Sequence, residues 1–486
     1  MSKNETTRRL FDPLTALCPL DGRYSQVADE LSDIFSEYAL IKHRVYVEVS
    51  WLKFWLGDYA LPELACAQIE EFGGVNQVGA FLDNIHEQFS YDDAKLVKDI
   101  ERTTNHDVKA CELFVAKKLE NAGLGTLRSF VHICCTSEDI TNLAYGLMLI
   151  QGKELICKKV HRVLFALREL AAEEAHTAML SHTHGQPATP TTFGKEMSIF
   201  YFRLKLQREN FKDVKVYGKF NGASGNYVAA LSAFPHKQWG SISNDFICSL
   251  HPDLHPLFYT TQIEPHDYIA RLLNELKLMM QIIRDLDQDM WSYISREYLT
   301  QKVVATEVGS STMPHKVNPI TFENSESNIK LLTGLCNAIA DELPRSRMQR
   351  DLSDSSLLRN LGMVFGYAVQ VLDQTYKGLK RIEVNHTVVM RDLCRHPEVY
   401  AEAIQTVLRA RGVTDAYDRL KEFTRGKDVS REMLIHFIGE QPELSDDDYN
   451  HLFDLIKYPS EYIGLSEKLA NAAIDYIDIG EGASRL

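Results

Sequence analysis

Apolar residues recur every three or four positions through much of the chain, the spacing of one face of an α-helix. Leu31, Ile34, Phe35, Tyr38, Ile41 and Val45 lie on one such stripe and predict a helix over 31–55. Shorter helical stretches follow and break at Pro62 and at Gly73-Gly74. Thr136-Ser137-Glu138-Asp139 has the order of a capping box, with Thr136 as cap, and the helical pattern continues to about residue 175. A helix of about 40 residues, roughly 60 Å by its rise, is longer than ordinary globular helices. Further long helices are predicted over 191–217, after Pro265, over 320–343 and over 355–381. In the helix after Pro265, Ile269, Leu272, Leu276, Met279, Met280, Ile283 and Leu286 read as a core face. Strand signals are sparse. The expected fold is all-α: a long central helical bundle over 127–380, flanked by smaller, mainly helical domains over 1–126 and 381–486. Residues 1–12 read as a loose polar tail, and Pro397, Pro442 and Pro459 divide the last domain into short helices.

Composition narrows the picture. Hydrophobic residues make up 45% of the 486 and charged residues 25%, the balance of a globular chain rather than a disordered one. A net charge of −14 argues against general nucleic-acid binding and means that an anionic substrate needs a locally basic pocket. The nine cysteines are scattered without a C-x-x-C pair, which suits thiols in a reducing compartment. Cys134-Cys135 reads as helix packing. The polar N-terminus lacks the apolar stretch of a signal peptide, and no apolar run reaches a membrane span of about 20 residues. A cytoplasmic enzyme is expected.

The candidate chemistry centres on 309–319, Gly-Ser-Ser-Thr-Met-Pro-His-Lys-Val-Asn-Pro, between two long helices. Its prolines keep it out of helix. Its composition also suits an ordinary surface turn. The alternative is chemical. A serine becomes a base only where cations and hydrogen-bond donors stabilise its alkoxide, and Lys316 and Asn318 are of the types to do so. Elsewhere, Asp21-Gly22-Arg23-Tyr24 reads as a turn, and Asn105 as the cap of a helix starting at Asp107. His182-Thr-His184-Gly supplies too few ligands for zinc. Residues 221–227 read as a tight Gly-rich turn without the spacing of a phosphate loop.

The 309–319 segment fills every fixed position of G-S-S-x-M-P-x-K-x-N-P, and the chain thereby resembles the fumarase/aspartase superfamily. His315, where fumarases usually carry glycine, favours the branch that releases fumarate from adenylosuccinate (giving AMP) and from the succinyl-carboxamide ribotide SAICAR (giving AICAR) in purine nucleotide biosynthesis. Argininosuccinate cleavage or fumarase activity is the alternative within the superfamily, and a non-catalytic helical scaffold the alternative outside it.

The resemblance implies roles residue by residue. Ser310 is the base, and His184, in Thr-His-Gly-Gln, is the acid; His182 lies outside the fixed pattern. Lys316 and Asn318 hold the carboxylate, with Asn324 reaching the site from the next helix. Asn105, His106 and Asp107 line the site, Thr136 and Ser137 bind substrate, and so does Gln262. Arg23, Tyr24, Arg350, Ser355 and Arg359 take the phosphate and carboxylate groups, where guanidinium pairing is bidentate. No cofactor or metal is implied. The superfamily's plan is a homotetramer with each active site shared between subunits.

Overall fold

The computed structural model describes residues 12–58, 61–302, 312–313 and 315–474. Ser310 and Ser311 therefore lie outside the described residues. The helices that matter below are α1 (Ser25–Phe35), α2 (Glu37–Asp58), α3 (Tyr91–Thr104), α4 (Asp107–Asn121), α5 (Ser137–Glu173), α6 (Phe193–Lys212), α7 (Asp267–Ser295), α8 (Ile320–Glu342), α9 (Ser353–Leu358) and α10 (Leu361–Leu379). Short strands form three two-stranded pairs: β1 (Ala178–Thr183) with β2 (Gln186–Thr192), β3 (Val216–Gly218) with β4 (Leu254–Pro256), and β5 (Leu299–Gln301) with β6 (Ile382–Val384). The fold is thus all-α in substance, as the periodicity predicts. No described helix is long and apolar enough to cross a membrane.

Several boundaries differ from the sequence reading. The stretch 31–55 is two helices, because Ser36 leaves the helical region (ψ 167°) and its Oγ accepts the Ala39 N–H at 3.0 Å. It ends α1 and caps α2. Asn105 does not cap α4. It closes α3 in the left-handed region (φ 50°), and His106 is the cap, its Nδ1 accepting the Lys109 N–H at 3.2 Å. Cys134 and Cys135 sit in a turn before α5 rather than in a helix, with Cys134 at φ 60°. Residues 191–192 belong to β2 and 216–217 to β3, so α6 is shorter at both ends than predicted. Helix α7 starts at Asp267, two residues after Pro265, as the sequence reading places it. The last long helix is broken between α9 and α10, where the Asn360 N–H turns back to Leu357 O at 2.9 Å.

The chain divides into two compact units: unit 1 comprises 1–158, 209–280 and 328–370, and unit 2 comprises 159–208, 281–327 and 371–486. In unit 1 an apolar core joins α2 and α4 through Val45, Leu52, Ala110, Phe114 and Leu119. A second knot matters more for the site. Trp51 packs against Phe220 (centroids 4.5 Å) and Phe246 (4.9 Å), and its indole N–H donates to Ile133 O at 2.9 Å. A fully buried side chain of α2 thereby fixes both the turn that leads into α5 and the loop after β3. In unit 2, Ala178 and Leu180 of β1 pack with Leu393, Tyr400 and Ile404 of the C-terminal helices. The buried Asp287 of α7 accepts from Thr375 of α10 at 3.0 Å, and Thr375 meets Ser325 of α8 at 2.9 Å. Burial pushes the Asp287 carboxyl well above the ordinary carboxylate range.

Candidate functional site

Unit 1 contains a cavity of about 560 Å³. Four separate stretches of chain meet on its wall. The α3–α4 junction brings Asn105, His106 and Asp107; the start of α5 brings Thr136 and Ser137; the loop before α7 brings Gln262; and the approach to α9 and α9 itself bring Arg350 and Ser355. All eight are residues to which the sequence reading gave a binding role. The first turns of α4 and α5 both border the cavity, so the positive ends of two helix dipoles face it, a setting that favours anions.

These side chains are held from behind by a buried ion pair. Asp139 and Lys219 are fully buried and 2.8 Å apart. The Asp139 carboxylate also accepts N–H bonds from Thr136 (2.8 Å), Asn221 (3.0 Å) and Gly222 (3.0 Å), so its charge is amply satisfied. Lys219 Nζ donates onward to Gln262 O at 2.7 Å. The Gln262 side chain donates to Ala223 O at 3.2 Å and accepts from Arg350 at 3.3 Å. Within the Gly-rich turn, Gly225 has φ 70°, and a Cβ there would lie 2.3 Å from Thr260 O, so this position requires glycine. The turn is therefore the bed on which Gln262 rests.

The electrostatics of the wall are mixed. Arg44, buried on α2, pairs with Asp107 at 2.8 Å, and Arg359 reaches the same oxygen at 3.1 Å. Burial would raise the Asp107 carboxyl, but the charge and hydrogen bond of Arg44, with help from Arg359, hold it below the usual range. Arg350 pairs with Glu138 at 2.9 Å. It does not pair with either of the neighbouring aspartates; it is Arg347 that meets Asp351, at 3.1 Å. Burial pushes the Glu138 carboxyl up against the opposing charge of Arg350. Burial likewise raises the Tyr145 phenol to about 12, keeping it a neutral donor at the wall. Among the described lining residues, Glu101, Asp107, Glu138 and Asp354 face only Arg44 and Arg350 as permanent cations. The basic pocket expected for an anionic substrate is thus not supplied by this wall alone.

Arg44, Glu138, Tyr145 and Asp354 were not singled out from sequence. Arg44 and Tyr145 sit inside long helical patterns, and Glu138 and Asp354 read as a cap neighbour and a surface charge. Arg23 and Tyr24, on the turn before α1, are not among the described lining residues; nor is Arg359, which bonds to Glu37 and Asp107 instead.

The remaining candidates belong to unit 2. His184 and Gly185 form the two-residue turn of the β1–β2 hairpin, at φ 54° and 72°. Positive φ at both positions is the geometry of a type I′ turn, in which a histidine is unusual. The hairpin leaves His184 exposed, and His182, two residues back, lies with its ring 6.0 Å from that of Tyr298. In the signature segment, the Lys316 N–H donates to Met313 O at 3.1 Å, and Gln301 donates to Val317 O at 2.9 Å, tying the loop to β5. Lys316 is exposed and Asn318 half-buried, and Asn324 lies on the second turn of α8.

The chain is similar to known proteins along most of its length. Residues 22–336 match the Lyase family model, and 346–463 match the model for the adenylosuccinate lyase C-terminal region. The chain is 45% identical over 427 residues to the adenylosuccinate lyase of Escherichia coli K12, covering 87% of this chain and 92% of that protein. It is 44% identical over 458 residues to that of Haemophilus influenzae, covering 94% and 98%. Among solved structures, a fumarate lyase from Mesorhizobium sp. BNC1 superposes with TM-score 0.74 at 18% identity, covering 92% of this chain and 98% of that one. A 3-carboxy-cis,cis-muconate lactonizing enzyme from Pseudomonas putida does so with TM-score 0.71 at 19% identity, covering 92% and 96%. The two structures speak for the fold, and the family models and the 44–45% relatives for the rest: this chain belongs to the adenylosuccinate lyase family.

Proposed function

We propose that the protein eliminates fumarate from adenylosuccinate to leave AMP, and from SAICAR to leave AICAR. Ser310, as alkoxide, removes a proton from Cβ of the succinyl group. The electron pair moves into the adjacent carboxylate, whose added charge Lys316 and Asn318 stabilise. The pair then returns to form the carbon–carbon double bond as the C–N bond breaks, and His184 donates a proton to the departing nitrogen. Asn105, His106, Asp107, Thr136, Ser137 and Gln262 bind the substrate, and Arg23, Tyr24, Arg350, Ser355 and Arg359 take its phosphate and carboxylate groups. The enzyme works as a cytoplasmic homotetramer whose active sites are shared between subunits, each chain being organised as 1–126, 127–380 and 381–486.

The observation that carries this reading is the convergence of eight of these residues, from four distant stretches of sequence, on one cavity. In the test, purified protein is mixed with adenylosuccinate while the purine absorbance and the fumarate released are followed. Turnover is expected with adenylosuccinate and not with argininosuccinate or malate. Ser310→Ala and His184→Ala are each expected to lose roughly a hundredfold or more in kcat. Near-normal turnover in either variant removes that residue from its role.

A further inference from the structure

Behind the cavity wall, His266 lies between two carboxylates. Its Nδ1 is 3.2 Å from Glu264 Oε2, and its Nε2 is 3.5 Å from Asp354 Oδ2. All three side chains are at least nine-tenths buried. The His266 backbone is held at φ 62°, a left-handed conformation that costs a non-glycine residue about 1 kcal/mol or more, and its N–H donates to Glu264 at 2.8 Å. A histidine in that conformation, bridging two buried acids, is not explained by packing, since an apolar residue would fill the space without two charges to compensate. What the bridge joins is informative. Glu264 follows Gln262 by two residues, and Asp354 immediately precedes Ser355. Of the three, only Asp354 borders the cavity.

We propose that His266 is a positioning residue, whose bridge from Glu264 to Asp354 locks the loop carrying Gln262 to the helix carrying Ser355 and so sets the spacing of the substrate-binding groups on the cavity wall. The bridge acts beside the Arg350–Gln262 bond, which links the same two segments at the cavity surface. It also places a cation behind one of the four carboxylates of the wall, easing entry of an anion. Burial alone would lower the imidazole, but Asp354 and Glu264 more than offset it and raise it to about 9, so the cation persists at neutral pH. The inference rests on the proposed function and deepens it, since the groups positioned are those assigned to substrate.

Two variants test it. His266→Gln keeps a polar side chain of similar reach but cannot carry charge or bond both acids in the same way. Glu264→Gln keeps the shape and alters the bridge from the end that does not touch the cavity. Steady-state kinetics with adenylosuccinate and calorimetric titration with AMP are run on both variants and on the unaltered protein. Both variants are expected to raise KM and weaken AMP binding by roughly tenfold, with kcat changed less than about threefold, because position rather than proton transfer is lost. If His266→Gln does not fold, Glu264→Gln decides alone. Unchanged KM and AMP affinity in Glu264→Gln, or a loss confined to kcat, overturns the inference while leaving the proposed function intact. An unaltered protein that neither cleaves adenylosuccinate nor binds AMP overturns the proposed function and takes the inference with it.

Discussion

Asp107 shows how a side chain proposed to bind substrate can also be a structural element. It opens α4, so its carboxylate sits at the positive end of a helix, and its own Oδ1 accepts the Val108 N–H at 2.9 Å. Oδ2 meets the buried Arg44. Removing Arg44 leaves an acid on a partly buried wall with only the exposed Arg359 for company, and breaking such a pair costs about 3 kcal/mol. Arg44→Met is therefore expected to lose about that much stability in urea at pH 7. The sign of its pH dependence follows from Asp107. A carboxyl held low in the folded state stabilises above the unfolded value of about 4 and loses that contribution as the pH falls through its lowered folded value. The gap between Arg44→Met and the unaltered protein should thus be full at neutral pH and shrink below about pH 4; a gap that is constant from pH 7 to pH 3 would show that Arg44 contributes by packing alone. At this scale the sequence points to Asn105-His106-Asp107 and Thr136-Ser137 as binding candidates only through the family resemblance; by spacing alone they read as helix starts and caps. It was silent about Lys219, Glu138, Asp354 and His266. Their neighbours in sequence are ordinary, and each has a partner 43 to 212 positions away, so only the folded chain reveals them.

Elements were legible to the extent that one periodicity ran unbroken. Helix α5 was expected over 136–175 and spans Ser137–Glu173, and α8 was expected over 320–343 and spans Ile320–Glu342. The break at Ser36 was invisible, because the apolar stripe continues across it without glycine or proline, and a serine signals a cap only when the chain has somewhere else to go. The β1–β2 hairpin was missed for a related reason: the strands are short, a bulge between Leu180 and Ser181 interrupts their alternation, and the turn carries His-Gly rather than the usual Asn-Gly. The 221–227 turn was seen as a turn, but its purpose was not, since its load is Gln262. That load gives a prediction at the scale of the element. Gly225→Ala must either move the turn or push back the Thr260 and Thr261 carbonyls, which a Cβ would approach to 2.3 and 2.8 Å. The expected cost is about 2–4 kcal/mol in thermal or urea unfolding, accompanied by a rise in KM as Gln262 shifts. Destabilisation with unchanged KM would separate the turn from the binding wall.

For the whole molecule, the groups of the proposed reaction are divided between the two compact units. Unit 1 supplies the cavity that gathers eight of the proposed binding residues, while His184, Lys316, Asn318 and Asn324 belong to unit 2. The long helices also leave large apolar side chains exposed: Phe165 on α5 (51%), Leu206 on α6 (57%), Leu278 and Trp291 on α7 (51% and 47%) and Leu331 on α8 (54%). On the proposed homotetramer, these residues are the ones expected to meet neighbouring helices. In the proposed arrangement, the active centre is completed by more than one copy of the chain. Complementation puts this to the test. Ser310→Ala and His184→Ala are each expected to be nearly inactive alone, for lack of the base in one and of the acid in the other. When the two are mixed under mildly dissociating conditions and allowed to reassociate, some sites draw an intact Ser310 from one chain and an intact His184 from another. Turnover well above that of either parent is expected, appearing together with mixed oligomers by native mass spectrometry. Mixed oligomers without any gain in turnover would mean that both groups act from the same chain, and the shared-site arrangement would have to be abandoned even if the chemistry stood.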